Sequence, residues 1–366
     1  VPDNIILSET DKDLPKHVKN GYMRYRDFQP LTQGGEAILR TCVDENLGRT
    51  VVIKTLQPQF QNLETYQKRF LREARVTAQI PHPATIPVYE LSRDSEGNAY
   101  FTMKKLCGRD LSEILDRIAE GDTATSHQYP LDFLIDVLVQ CSQCLAFAHK
   151  QGVVHRDMKP ANIMVGDYGE IMVLDWGLAK VWDMDDNEDV SQLIRSGQQS
   201  IPGRLTGRGD VQGTPFYMSP EQAVETGDVD DRTDIYNMGI ILFEVLTNES
   251  YMSGKSFKEI KRKLMEDSAR EPITVAPKKK ITPELNAVCV KALQRSPADR
   301  YQKMEEFVAD LRAALTGKSV SVFQESTLIR LLKVRNNKIV SAASLLWMLA
   351  GVVVAVAVQF IVRAVW

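Results

Sequence analysis

The run His155-Arg156-Asp157-Met158-Lys159-Pro160-Ala161-Asn162 constrains this chain more than any other feature. It sets a carboxylate, a cation two residues on and a carboxamide five residues on around a proline that forbids an ordinary helix. Asp157 can accept a proton from an attacking hydroxyl, Lys159 can neutralise a phosphoryl oxygen, and the Asn162 side-chain oxygen suits Mg2+. Shortly downstream, Leu174-Asp175-Trp176-Gly177 ends an apolar stretch with an acidic residue, a hard oxygen ligand for a second metal contact. Either piece alone could arise by chance. The two together, in order and close in sequence, are a specific signal.

On these motifs the chain resembles the eukaryotic-like protein kinases, over about Tyr22 to Leu315. The resemblance implies an α+β, bilobal fold: a small β-rich N-lobe over 22–105 and a larger α-helical C-lobe over 106–316. It implies Asp157 as catalytic base, Asn162 and Asp175 as Mg2+ ligands, and ATP as the nucleotide, with Mn2+ a substitute metal. Trp176 stands where the family usually has Phe and keeps a large aromatic wedge. Lys159 resembles the serine/threonine class and argues against small-molecule phosphotransferases. Upstream, Val51-Val52-Ile53-Lys54 matches the strand whose lysine holds the α- and β-phosphates, and Glu73 falls where its ion-pair partner belongs. Glu73 alternates with other charges on its helix, so its role comes from the resemblance, not from periodicity.

By the same resemblance Leu39, Val52 and Met164 enclose the adenine, Met103 is the gatekeeper, and the base bonds to backbone near Lys104 and Leu106. The glycine-rich loop matches least well: the pattern G-x-G-x-x-G falls on Thr32, Gly34 and Ala37, with Gly35 one place later. Glycines there let backbone amides approach phosphates, and each added Cβ implies a weaker or slower nucleotide site. Downstream, Gly213-Thr214-Pro215 and Ser219-Pro220-Glu221 resemble the end of an activation segment, long at 47 residues from Asp175 through Glu221. Thr214 is expected to position Lys159 and Asp157, Glu221 to pair with Arg300 as a structural bridge, and Asp234 to tie the catalytic loop to the core. Asp234 also reads as the start of a helix beside an N-cap at Thr233. Arg156 before the catalytic Asp suits phosphorylation of the loop, with Ser191, Ser196, Ser200 and Thr206 as candidates near Arg195, Arg204 and Arg208.

The 366 residues are enough for about two ordinary domains, and 43% apolar with 25% charged residues excludes a disordered tail or a many-span transporter. A net charge of −3 gives no cationic bias toward nucleic acid. Five cysteines, an odd number, favour a reducing compartment over a disulfide framework. One segment breaks the pattern: the 24 residues of 339–362 hold no Asp, Glu, Lys or Arg. As a helix they would span roughly 36 Å, more than a ~30 Å hydrocarbon core, which predicts one transmembrane helix. Lys318, Arg330, Lys333, Arg335 and Lys338 precede it and only Arg363 follows, so residues 1–338 are expected on the cytoplasmic side of an inner membrane. The remaining parts read as a leader over 1–21, a juxtamembrane linker over 317–338 and a short or truncated tail over 363–366.

Strand patterning over 22–105, clearest at Thr50–Leu56, is interrupted by a helix over Tyr66–Gln79. Helices are expected at Leu131–Lys150, Asp234–Thr247, Ser256–Asp267, Pro283–Gln294 and Lys303–Leu315, with an irregular stretch over Asp183–Val211. Cys141 and Cys144 lie in an apolar helical run and read as core; His82, His127 and His149 show no ligand spacing. Asn248-Glu249-Ser250 matches a glycosylation sequon too common to count. The leading expectation is a membrane-anchored bacterial serine/threonine kinase acting on proteins, with a second copy as partner for autophosphorylation. The rival is a pseudokinase, a binding module keeping the fold, suggested by the eroded glycine loop and by Val52.

Overall fold

The computed structural model describes residues 18–181, 216–224, 229–254 and 256–322. The expected leader up to residue 17, most of the activation segment with Thr214 and the candidate phosphosites, and the 339–362 segment lie outside these residues.

The N-terminal part is a five-stranded antiparallel sheet in the order β1-β2-β3-β5-β4. Its strands are β1 (Tyr25–Gln33), β2 (Ala37–Asp44), β3 (Arg49–Leu56), β4 (Val88–Arg93) and β5 (Ala99–Lys104). Alternation gives the sheet two apolar faces. On one, Tyr25, Cys42, Val51, Ile53 and Tyr100 cluster under Tyr22 and Phe28. On the other, Leu56 and Phe101 meet Phe70 and Ala74 of α1 (Glu64–Gln79), with the Phe70 and Phe101 ring centroids 5.1 Å apart. This packing fixes the rotation of α1, and so the direction in which Glu73 points.

A short strand β6 (Gly108–Asp110) leads into the helical part, where Asp110 caps α2 (Leu111–Ala119) by accepting from the Glu113 amide at 2.9 Å. Asp122 caps α3 (Thr123–Gln128) in the same way, and α4 (Leu131–Lys150) follows. The two small helices were not expected from the sequence; each is started by an aspartate that the apolar pattern alone does not register. Strands β7 (Val153–Val154), β8 (Ile163–Gly166), β9 (Ile171–Val173) and β10 (Lys180–Val181) carry the chain past the catalytic motifs. β8 pairs with β6 and β9, and β7 pairs with β10.

Helix α5 (Asp231–Thr247) is the hub of the helical part, with every residue buried except Arg232. It begins three residues before the expected Asp234, because Asp230 rather than Thr233 is its N-cap, accepting from the Arg232 amide at 2.9 Å. Asp234 therefore lies inside the first turn with its carboxylate turned to the catalytic loop. The helix ends at Asn248, whose left-handed φ of 59° makes the sequon a helix stop. Helices α6 (Phe257–Glu266), α7 (Pro272–Val275), α8 (Pro283–Ala292) and α9 (Met304–Leu315) complete the unit. A Cβ on Gly239 of α5 would come within 2.9 Å of the Ala292 Cβ, so glycine sets how closely α5 and α8 approach.

Among the described residues, one helix is long and apolar enough to cross a membrane, α4. Its most apolar window is 61% buried within the protein, as in a core helix. Cys141 and Cys144 lie on it as free, buried thiols, and burial pushes Cys144 up to about 11, so it stays protonated at neutral pH.

Candidate active site

Lys54 lies in the middle of β3, opposite Leu39 of β2 and Phe101 of β5. Its Nζ donates to both oxygens of Glu73, at 2.5 and 2.7 Å. Burial works against the Lys54 charge, but the carboxylates of Glu73 and Asp175 outweigh it and raise its pKa. Burial also pushes the Glu73 carboxyl up, against the pull of Lys54. The pair therefore depends on direct contact, in a setting that would hold neither charge alone.

In the same sheet, Thr32 is the last residue but one of β1, Ala37 opens β2, and Gly34 and Gly35 lie in the turn between them. The turn is closed by the Gly34 amide donating to the Ala37 carbonyl at 3.0 Å. Val52 is buried opposite Met103, while Leu39, Met103 and Met164 are half-buried, as apolar walls of a cleft are. The Lys104 amide is already used, donating to the Pro87 carbonyl at 3.0 Å, and Leu106 follows the end of β5.

The segment after β7 is held by a single carboxylate. Asp234 accepts from the amides of His155 (2.9 Å) and Arg156 (2.8 Å), and its Oδ2 lies 2.7 Å from His149 Nε2. Burial opposes the Asp234 charge, but the hydrogen bond and charge of His149 hold its carboxyl below the ordinary range. His149, without ligand spacing in the sequence, is thus a core histidine tied to Asp234 through Nε2, with its Nδ1 buried and unpartnered among the described residues. Arg156 takes a left-handed φ of 68°, costly for a non-glycine residue, and both faces of its peptide are tied down. Gln222, just past Ser219-Pro220-Glu221, donates Nε2 to the Arg156 carbonyl at 2.7 Å while accepting from the Ser219 amide at 3.0 Å.

That clamped backbone presents Asp157. Its Oδ2 accepts from Lys159 Nζ at 2.8 Å, and Asn162 Nδ2 bonds its main-chain oxygen at 2.8 Å. Asp157 Oδ1 is buried without a partner among the described residues, an acceptor left unused. Burial works against the Lys159 charge, but Asp157 more than compensates and raises its pKa. Asp175 also adopts a left-handed φ, 62°, which directs its carboxylate into the cleft, where it keeps access to solvent. Desolvation opposes its charge, but Lys54 and Lys159 prevail and hold the carboxyl below its ordinary value. Trp176 is fully buried against His155, ring centroids 4.6 Å apart, with its Nε1 lacking an acceptor among the described residues.

One cleft thus gathers Lys54, Glu73, Asp157, Lys159, Asn162 and Asp175. No group of three or more His, Cys, Asp or Glu among the described residues is arranged to hold a metal. A pair such as Asn162 and Asp175 nevertheless fits Mg2+, which keeps several waters and takes substrate phosphates as its other ligands. Glu221 and Arg300 form the expected bridge, with Nη1 and Nη2 at 2.7 and 2.8 Å from the two carboxylate oxygens.

Residues 25–310 match the model of the protein kinase domain. The chain belongs to the protein kinase family. The serine/threonine-protein kinase PknD of Protochlamydia amoebophila is 33% identical over 301 residues, which cover 81% of this chain and 30% of that relative. The PknD of Chlamydia muridarum is 30% identical over 304 residues, covering 81% of this chain and 32% of the relative. The chain thus spans about a third of the length of these curated relatives. The protein kinase family works with ATP and a divalent metal, and these relatives carry serine/threonine-protein kinase in their names.

Two features of the kinase domain escaped the sequence reading. Gln222 reaches Arg156 across 66 positions, and no local pattern marks such a contact. Glu36, at the tip of the glycine loop, pairs with Arg69 of α1 at 2.9 Å. The only sequence trace of that pair is an acidic residue where phosphates are expected and an arginine one helical turn before Glu73.

Proposed function

We propose that this domain transfers the γ-phosphoryl group of ATP to serine and threonine hydroxyls of proteins, its own sister chain included, and that Asp157 is the base. The observation that carries this reading is the Asp157 carboxylate, set beside Lys159 with its Oδ1 left unpartnered among the described residues, in the same charge cluster as Asp175 and Lys54. Phosphoryl transfer asks the protein mainly for positioning and charge neutralisation. Lys54, fixed by Glu73, holds the α- and β-phosphates. Asp157 orients the incoming hydroxyl and takes its proton, and Lys159 offsets charge on the moving group. Asn162 and Asp175 hold Mg2+, which supplies charge neutralisation at the phosphates. Leu39, Val52, Met103 and Met164 enclose the adenine; with the Lys104 amide committed to Pro87, the base takes the Lys104 carbonyl and the Leu106 backbone. Thr32, Gly34, Gly35 and Ala37 cover the phosphates.

The domain acts from the cytoplasmic face of the inner membrane, anchored by residues 339–362, and passes signals to cytoplasmic proteins. The support is the charge-free stretch and the basic residues before it. The autophosphorylation sites fall within residues 191–214, among Ser191, Ser196, Ser200 and Thr206.

The rival is a pseudokinase, favoured by one observation: Thr32 and Ala37 stand where the phosphate loop of the family has glycines. The test is Mg-ATP with peptides carrying Ser, Thr or Tyr as sole acceptor. Labelled Ser and Thr peptides are the expected result. Labelling of Tyr alone contradicts the class, and nucleotide binding without transfer establishes the rival.

A further inference from the structure

The glycine loop has few glycines, yet side chains from two other elements hold it. Gln57, just past β3, donates Nε2 to the carbonyls of Gly34 (2.6 Å) and Gly35 (3.2 Å), and its own amide bonds the Glu36 carbonyl at 2.9 Å. Gln59 Nε2 donates to Gln57 Oε1 at 2.9 Å, which fixes which way the Gln57 amide faces. From the tip, Glu36 reaches α1 and accepts from Arg69 Nη1 at 2.9 Å. The Arg69 side chain is only 16% exposed against 44% for Glu36, and Arg69 Nε is buried with no acceptor among the described residues.

Arg69 and Glu36 both act on the cleft. Arg69 is among the charges that lower the Glu73 and Asp175 carboxyls, and Glu36 is among those that raise Lys54 and Lys159. One member of the pair has the sign a polyphosphate needs and the other has the opposite.

We propose that Arg69 is a further phosphate-binding residue of the nucleotide site and that Glu36 is its built-in competitor, giving Arg69 up when the outer phosphates of the nucleotide arrive. The inference rests on the nucleotide-site reading above. A half-exposed carboxylate gains little from an ion pair and returns to water at small cost. A phosphate brings more charge and several oxygens, enough to serve both Nη1 and the unsatisfied Nε of one guanidinium. Gln57 meanwhile keeps the loop backbone over the site, so the exchange needs only side chains to move. Part of the rigidity that glycines would sacrifice is thereby retained, and affinity becomes sensitive to the number of phosphates.

The test is calorimetric titration of the full chain with adenosine, ADP and ATP in Mg2+, for wild type, Glu36→Gln, Arg69→Gln, Arg69→Lys and Lys54→Met. Melting curves without nucleotide show that each variant is folded. Arg69→Gln is expected to weaken ATP about tenfold and adenosine less than about twofold, with Arg69→Lys between it and wild type. Glu36→Gln is expected to tighten ATP about threefold or more, ADP less, and adenosine not at all. Equal weakening of adenosine and ATP by Arg69→Gln would reduce the pair to a mechanical tether and overturn the inference. So would ATP affinity indifferent to both substitutions while Lys54→Met still weakens it. A wild type that fails to bind Mg-ATP would instead remove the nucleotide-site reading, and this inference with it.

Discussion

Replacing Arg300 by methionine takes the cation out of an enclosed ion pair and strands its partner. All five guanidinium N–H groups are used: Nη1 on Glu221 Oε1 (2.7 Å) and the Arg232 carbonyl (2.9 Å), Nη2 on Glu221 Oε2 (2.8 Å) and the Arg295 carbonyl (3.0 Å), Nε on the Gln294 carbonyl (2.7 Å). The Arg300 side chain is wholly buried and that of Glu221 is 8% exposed. Leaving a buried carboxylate without its cation costs about 3–5 kcal/mol. At a urea slope of about 3 kcal/mol/M, a loss of about 4 kcal/mol lowers the unfolding midpoint by about 1.3 M. Changing Glu221 to methionine as well removes the stranded charge and should recover about 2 kcal/mol. Recovery stays partial because three carbonyls and the Thr233 hydroxyl, which bonds Glu221 at 2.7 Å, still lack partners. Desolvation opposes the Glu221 charge, but Arg300 outweighs it and holds the carboxyl below its ordinary 4.5. A depressed carboxyl stabilises the fold above that ordinary value and loses the effect as pH falls through the folded value. The gap between wild type and the single variant should therefore narrow in acid. Urea unfolding at neutral and acid pH measures this. A single variant within about 1 kcal/mol of wild type, or a double variant no better than the single, would refute the reasoning.

Three further outcomes follow from the site. Gln222→Glu keeps an acceptor for the Ser219 amide but loses the donor to Arg156; kcat should fall about tenfold with KM for ATP unchanged, and a matching loss of nucleotide affinity would point to general disorder instead. Trp176→Phe trades lost ring volume, about 1 kcal/mol, against removal of a buried, unsatisfied N–H worth about 1–3 kcal/mol. The variant should be at least as stable as wild type by urea unfolding, and a loss above about 2 kcal/mol would contradict that. Burial raises the Glu73 carboxyl above its ordinary 4.5, so on acidification Glu73 takes a proton early and releases Lys54. ATP affinity should thus decline more steeply from neutral pH toward acid in wild type than in Glu73→Gln, the nucleotide's own phosphate ionisation being common to both; parallel pH curves would count against it.

Much of the fold could be read from local chemistry. Lys54 sits in a run of β-branched residues that makes a strand almost unavoidable, and the helix carrying Glu73 runs to the Pro81 breaker. The motif from His155 to Asn162 was legible because its proline and polar residues exclude regular structure. What sequence could not supply is set by contacts between distant elements. The start of α5 was misplaced because Thr233 looked like a cap, whereas its hydroxyl serves Glu221 and Asp230 caps the helix. The roles of Gln222 and of the Glu36–Arg69 pair depend on side chains meeting across 66 and 33 positions, which no periodicity encodes. The weak glycine pattern drew attention to the loop, but not to the Gln57 and Arg69 contacts that hold it.

The most direct measurement is phosphate incorporation from Mg-ATP into the chain itself and into a generic Ser/Thr substrate, for wild type beside Asp157→Asn. Asparagine keeps the shape and an oxygen for Lys159 but cannot take the proton of an incoming hydroxyl. The account predicts incorporation by wild type and its loss, by a factor of about a hundred or more, in a variant that still binds Mg-ATP. Equal incorporation by both proteins, or none by wild type despite tight nucleotide binding, would contradict it.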